Sequence, residues 1–344
     1  MSRETPTASV SVKDVAAAAG VSLGTVSNVL NQPERVSPTT VARVRAAIAE
    51  LGYVRNDAAR QLRAGRSSTI GLIALDLANP FFAAVAKGAQ ERAAEAGLFV
   101  LVAASEDTRD REIAYLDHFS QQRVVGVLVT PASGDPAALE RLEGAGTRIV
   151  LVDRDAGDAR LDSVTVADEE GGYLAVSHLA STGRRRIMFV GGPATLPQVL
   201  DRFAGARRAV AEVPDASLEP LETAELTVLA GRDAAARILE RDAAERPDAV
   251  FCANDLVAVG MLQGLAILGG VRVPDDIALV GYDDIDFATA TVVPLTSVRQ
   301  PAVEIGRAAV DLLLDQDGEH PGPRQVKFTP ELVIRESSRA AADT

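Results

Sequence analysis

From residue 70 onward the chain alternates between short apolar runs and amphipathic stretches, and few folds satisfy that alternation. The runs are IGLIAL (70–75), LFVLVA (98–103), VVGVLV (124–129) and RIVLVD (148–153), then IMFVGG (187–192), AVFCAN (249–254) and IALVGY (277–282). Continuous apolar runs bounded by turns mark parallel strands buried on both faces. Helix-like segments separate them, near 81–96, 109–120 and 136–145 in the first set and near 169–182, 200–212, 231–243 and 255–269 in the second. Two successive sets of βα units predict an α/β core of two doubly wound parallel-sheet subdomains. A helix at 302–315, with Ile305, Ala308, Ala309, Leu312 and Leu313 inward, returns the chain to the first subdomain. Short strands at 326–328 and 332–334 finish the fold. The first subdomain is thus expected over about 68–165 and 299–328, and the second over about 166–298 and 329–344.

The first 56 residues follow a different pattern. Ser11 and Asp14 form an S-x-x-D capping box ahead of a helix whose Val12, Val15, Ala16 and Ala19 share one face. Gly20 stops that helix. Ser22 caps a second one carrying Val26, Val29 and Leu30 inward. Two such helices around a glycine turn predict a helix-turn-helix. Ser37-Pro38 opens a third helix, with Val41, Val44, Ile48 and Leu51 buried and Gly52 at its end. The side chains left outward on the second helix are Leu23, Gly24, Thr25, Ser27 and Asn28. Small or amide-bearing groups suit a helix that enters the major groove, where bulk is excluded and base edges are read.

Charge divides the same way. The whole chain carries 35 Lys/Arg against 48 Asp/Glu, a net charge of −13. Residues 1–66 hold nine basic and five acidic side chains, so a head of net +4 is joined to a body of net −17. A basic head attracts phosphate locally while the acidic body repels it. The single cysteine, Cys252, allows no internal disulfide, and three scattered histidines offer no metal spacing. No apolar run is long enough to span a membrane, and MSRETPTASV lacks the apolar centre of a signal peptide. A cytoplasmic location and no cofactor are the expectations.

The run DVAAAAGVSLGTVSNVLN strongly resembles the headpiece of the lactose-repressor (LacI) family of bacterial transcription regulators, and VRVPDDIALVGYDD (271–284) resembles its core. The resemblance spans about residues 12–335. It implies a DNA-binding repressor, homodimeric on a palindromic operator, whose affinity is set by a small sugar-like effector held between two core subdomains. It implies a headpiece over 1–56, a hinge helix and linker over 57–67, and a core over 68–344. It assigns Leu23, Gly24 and Asn28 to bases, Thr25 and Ser27 nearer to phosphates, and Asn31 to the same interface. Many relatives have arginine or histidine where Asn28 stands. In the hinge DAARQLR (57–63), Leu62 would wedge into the minor groove beside Arg63. The family's proline before Asn56 is replaced by Arg55. RESSRAAADT (335–344) reads as a tail without the leucine seam that a tetramerising coiled coil needs.

Ligands of doubly wound sheets sit beyond the carboxyl ends of the strands. There the chain places Asn79-Pro80-Phe81-Phe82, Thr130, Asp153, Arg202, Asn254 and Asp283. Carboxylates and amides bond hydroxyls, and a ring packs on the apolar face of a sugar. By the family match Phe81, Asp153, Arg202, Asn254 and Asp283 contact the effector, with Asn79, Phe82 and Thr130 beside them. Structural readings stand next to these. NPFF also opens a helix and buries its rings, Asn254 and Asp255 also make an N-cap pair, and Asp284 faces solvent or a neighbouring loop. Arg202 needs an anionic or hydroxyl partner wherever it lies in a cleft. Several family members have an aromatic near Leu226, and this chain has none there and no tryptophan. The competing readings are a Rossmann-type enzyme and an exported sugar-binding protein. No G-x-G-x-x-G follows the first strand, and no phosphate-binding loop, serine elbow or Cys/His pair supports catalysis.

Overall fold

A computed structural model of the chain describes residues 10–53, 67–132, 137–157, 160–315 and 322–339. The chain divides between Arg66 and Ser67 into two compact units. The first is built from α1 (Val12–Ala19), α2 (Leu23–Asn31) and α3 (Pro38–Leu51). Their boundaries follow local chemistry. Asp14 accepts both the N–H and the hydroxyl of Ser11 (2.8 and 2.7 Å). Ser22 accepts from the Thr25 N–H and Ser37 from that of Thr40. Gly20 and Gly52 end their helices at φ +61°, which glycine adopts without steric cost. Val15, Ala16, Ala19, Val26, Val29, Val44 and Ala47 form the core of this unit.

The second unit contains two six-stranded sheets. One has the order β11-β5-β4-β3-β1-β2 and is parallel throughout. Its strands are β1 (Thr69–Ala74), β2 (Phe99–Ala104), β3 (Val127–Val129), β4 (Ile149–Val152), β5 (Asp162–Val166) and β11 (Gln325–Phe328). The other has the order β12-β10-β9-β8-β6-β7. It comprises β6 (Arg186–Val190), β7 (Ser217–Leu221), β8 (Ala249–Cys252), β9 (Ala278–Asp283), β10 (Thr296–Arg299) and the antiparallel β12 (Glu331–Val333). The helices are α4 (Pro80–Glu95), α5 (Arg109–Gln121), α6 (Ala137–Gly144), α7 (Asp168–Ser181), α8 (Pro197–Ala211), α9 (Val228–Leu239), α10 (Asp255–Leu262) and α11 (Ala302–Leu314). The expected fold class, a helical head and two parallel-sheet α/β subdomains, is borne out.

Several details differ from expectation. Strand β5 was not anticipated because Ser163 and Thr165, both buried, interrupt its apolar run. Strand β7 was missed because Pro220 and exposed Glu219 lie within it, which an edge strand tolerates. β10 has no long apolar run to announce it, yet its Thr296, Ser297 and Val298 are buried in the sheet. The helix expected to run to residue 269 is α-helical only to Leu262 and continues as a π-helical turn, Gln263–Leu268.

Helices pair over the sheets through reciprocal glycines. A Cβ on Gly88 of α4 would lie 2.0 Å from the Val303 carbonyl of α11, and one on Gly306 of α11 2.0 Å from that of Val85. The same exchange joins α7 to α8 through Gly172 and Gly205, and α9 to α10 through Gly231 and Gly260. Each pair therefore packs backbone on backbone, and neither partner can gain a methyl without separating the helices. Gly306→Ala should cost about 2–3 kcal/mol in urea denaturation, despite about 1 kcal/mol of helix propensity gained. Gly322→Ala, where a Cβ meets open space, should stay within about 0.5 kcal/mol of the parent.

Candidate functional site

On α2 the apolar side chains Val26 and Val29 point into the three-helix core. Leu23, Gly24 and Asn28 are exposed, Leu23 at 45%. Thr25 and Ser27 are half-buried. Thr25 shares a hydroxyl contact with Ser22 (2.9 Å). The Asn31 amide donates to the Ser27 carbonyl and hydroxyl, so it secures the last turn of the helix. Leu62, Arg63 and the hinge lie outside the described residues.

In the core, Asn79, Phe81, Phe82, Asp153, Arg202, Asn254 and Asp283 line one cavity of about 50 Å³ between the two sheets. Leu75, Leu196, Gln198, Val199 and Leu226 complete it. The eighth expected residue, Thr130, is buried but does not line it; its N–H is spent on the Ile73 carbonyl. Asn79 caps α4 by accepting from the Phe81 N–H (3.0 Å), which sets the two rings edge to face with centroids 5.1 Å apart. NPFF thus opens a helix and buries its rings, and the same rings line the cavity.

Two contacts clasp the subdomains across the cavity. Asn79 Nδ2 donates to Asp283 Oδ2 at 3.2 Å. Gln198 Nε2 donates to the carbonyl and Oδ2 of Asp153 at 2.8 and 3.1 Å. Asp153 and Asp283 end β4 and β9 with φ of +56° and +103°. Positive φ is uncommon for a side chain-bearing residue and concentrates at functional turns. Gln300, in the crossing between β10 and α11, donates to Asp283 Oδ1 at 2.8 Å.

Arg202 finds its partner in this chain. Its Nε donates to Asp168 Oδ1 at 2.7 Å and its Nη1 to the Ala253 carbonyl at 2.7 Å. The guanidinium carbon lies 3.7 Å over the Tyr282 ring. Both charged side chains are 5% exposed. Burial opposes the charge, but Asp168, with the other acidic groups around it, raises the Arg202 pKa above its ordinary value. Burial, then Asp168, pushes the Asp153 carboxyl up to about 8. Burial raises Asp283 to about 6, with Arg202 and the amide donors limiting the rise.

Asn254 caps α10 through the Val257 N–H (2.9 Å) and donates its amide to the Leu226 carbonyl. Asp255 is no cap partner. Its carboxylate accepts from Ser297 and the Ile285 N–H, tying the start of α10 to β10 and to the segment after β9. The expectation that Asp284 faces solvent or a loop is corrected: its side chain is 4% exposed and held by Arg299 and Arg335 (2.7 and 2.6 Å). The expected tail is corrected too. Ser337 and Ser338 are buried and stitched to Thr296 and Leu279, because Thr296 needs partners inside the sheet. Asp168, Gln198 and Gln300 escaped the sequence reading. Asp168 opens a helix with two further acids, a pattern that ordinarily signals only a favourable helix dipole.

Removing one partner of a buried ion pair strands a charge. Asp168→Ala should therefore cost about 3–5 kcal/mol in chemical denaturation. Replacing the pair together, Asp168→Leu with Arg202→Met, should cost much less.

Comparison with known proteins follows this geometry. Residues 11–56 match the model of bacterial regulatory proteins of the lacI family, and residues 176–338 match a periplasmic binding protein-like domain. The chain is 32% identical over 330 residues to the HTH-type transcriptional repressor PurR of Aliivibrio fischeri (strain MJ11), covering 95% of this chain and 97% of that one. It is 35% identical over 303 residues to the ribose operon repressor of Bacillus subtilis (strain 168), covering 88% and 90%. The crystal structure of the lac repressor dimer bound to operator and the anti-inducer ONPF superposes with a TM-score of 0.83 at 28% identity, covering 97% of this chain and all of that one. The chain belongs to the lacI family: it is a DNA-binding transcriptional regulator with an effector-binding core, and not an enzyme.

Proposed function

We propose that the protein is a cytoplasmic homodimeric repressor that reads a palindromic operator with α2 and is switched by a small sugar or sugar derivative in the cleft. The observation that carries this reading is the convergence of Asn79, Phe81, Phe82, Asp153, Arg202, Asn254 and Asp283 on one cavity from both sheets. Rings beside carboxylates and amides match the two faces of a sugar. A relative is a ribose operon repressor, and a related structure from Enterococcus faecium holds ribose. At about 50 Å³ the cavity is well short of the roughly 300 Å³ of a small-molecule site. Loading therefore requires the Asn79–Asp283 and Gln198–Asp153 clasps to part and reform around the ligand.

DNA and effector act at separate places, so coupling requires a bistable element that both bias. We assign that role to residues 57–63, with Leu62 in the minor groove and Arg63 beside it. Asn31 supports the reading helix from its last turn, leaving Asn28 as the free amide for bases. Asparagine pairs with adenine N6/N7, whereas arginine prefers guanine.

Full-length protein should shift operator DNA in a gel, and residues 67–344 alone should not. Asn28→Arg should change the preferred base at one symmetric half-site position in a binding-site selection, and an unchanged profile counts against α2 as the reader. Asp283→Ala should abolish the effector's change in operator affinity, about 5–150-fold for ordinary coupling, while leaving ligand-free DNA binding within a few fold. If both Asp283→Ala and Arg202→Ala respond like the parent, the cleft is not the sensing site.

A further inference from the structure

The charge balance of the cleft restricts what it can hold. Asp153 and Asp283 line the inner cavity, and among the described residues its one lining cation is Arg202. That cation is already committed to Asp168, the Ala253 carbonyl and the Tyr282 face. Counting Asp168, three carboxyl groups stand around one guanidinium, of which Asp153 is largely protonated near neutral pH. The adjoining chamber, about 440 Å³, shares Asp153 and Gln198 with the inner one. It sets Asp153, Asp155, Asp168, Glu169, Glu170 and Asp201 against Arg154, Arg208 and Lys327, and Arg208 is bound to Glu169 and Glu170.

The unused hydrogen-bonding capacity points the same way. Asp153 Oδ1, the Gln300 Oε1 behind Asp283 and the Tyr282 hydroxyl under Arg202 are buried and have no partner. Gln300 Oε1 accepts, while the tyrosine hydroxyl and a protonated Asp153 carboxyl both donate and accept. A buried acceptor is satisfied only by a donor. Hydroxyl groups donate, whereas a phosphate or carboxylate brings more acceptors and a charge that this field repels.

We propose that the cleft selects uncharged, hydroxyl-rich effectors and rejects the phosphate esters of the same sugars. The inference rests on the reading of the cleft as the effector site and narrows it to one ligand class. Arg202 does not act as an anion receptor here, because Asp168 neutralises it inside the fold. Its remaining nitrogen, Nη2, is left to donate to a hydroxyl oxygen. A phosphorylated sugar keeps its other hydroxyl donors but would meet surplus negative charge in both chambers.

Two measurements on the full chain test this. In the first, isothermal titration compares neutral pentoses and hexoses with their own monophosphates. The expected result is a neutral sugar that binds and a monophosphate at least about 100-fold weaker, a gap of about 2.7 kcal/mol. A monophosphate that equals or exceeds its parent sugar, and is displaced by it, overturns the inference while leaving the effector cleft in place.

The second measurement needs no ligand. Asp153→Asn removes one negative charge, and asparagine tolerates the positive φ of that position. The charged and titratable groups around residue 153 are Asp168, Asp283, Arg202 and Tyr282, with Arg154 and Asp201 towards the outer chamber. A carboxyl whose folded pKa is raised to about 8 gives its full stability only below the unfolded value near 3.8, and loses it as pH rises through 8. The variant should therefore melt about 2–4 °C above the parent at pH 8 and lose that advantage at pH 5. A variant that melts lower than the parent by the same amount at both pH values overturns the surplus of negative charge. If neither the sugars nor their monophosphates bind, the sugar reading of the cleft fails and the inference that rests on it falls with it, whatever Asp153→Asn does.

Discussion

The Asp168–Arg202 ion pair is the contact around which the cleft is built. It depends on the packing of α7 and α8. Gly172 and Gly205 let those helices touch backbone to backbone, with the Gly172 position against the Arg202 carbonyl itself. Only at that separation does the carboxylate at the start of α7 reach the guanidinium on α8 at 2.7 Å. A buried pair of this kind adds little net stability by itself, since desolvating two ions offsets their attraction. What it provides is position. The guanidinium is pinned against Tyr282 and the end of β8, beside the two carboxylates that face the cavity.

That placement controls the electrostatics of the neighbouring groups. Asp153 and Asp283 lie where burial disfavours charge and where Arg202 gives only partial compensation. Both sit at strand tips in left-handed backbone, and both hold an amide from the opposite subdomain. The clasps are therefore hydrogen bonds to carboxylates in poor solvent, stronger than the same contacts in water but replaceable by the donors of a ligand. A cleft held by such contacts can trade them for ligand contacts without exposing an unpaired group, which suits a sensor better than an apolar seam would.

The three crossings between the sheets explain why both the site and the carboxyl-terminal segment resist simple sequence reading. The chain passes from β5 to α7, from β10 to α11 and from β11 to β12. Gln300 lies in the second crossing and bonds Asp283, so a connection in the sequence becomes part of the wall behind the cleft. The last described residues return to the second sheet, where Ser337 and Ser338 complete the hydrogen bonds of Thr296 and Leu279. Asp284 belongs to the same closure: it binds Arg299 from β10 and Arg335 from the final segment rather than facing water.

The sequence by itself determined the three helices of the head, their caps at Ser11, Ser22 and Ser37, and the glycines that end α1 and α3. Those are local decisions, made by groups within four residues of one another. It also determined the strands whose apolar runs are unbroken, although β2, expected to be buried on both faces, lies at the sheet edge with Phe99 and Leu101 exposed; and it placed most of the cleft residues at strand tips, because the parallel βα repeat dictates where tips lie. It did not reveal β5, β7 or β10, whose burial comes from neighbours in the sheet and not from their own composition. Nor did it reveal that Arg202 is paired, that Asp284 is buried, or that Gln198 and Gln300 reach the cleft. Asp168 and Arg202 are 34 residues apart, Gln198 and Asp153 45, and Asn79 and Asp283 204. Contacts at such separations leave no periodic trace in a single sequence, so only the packing of helices over two sheets decides which polar groups meet and which are left to a ligand.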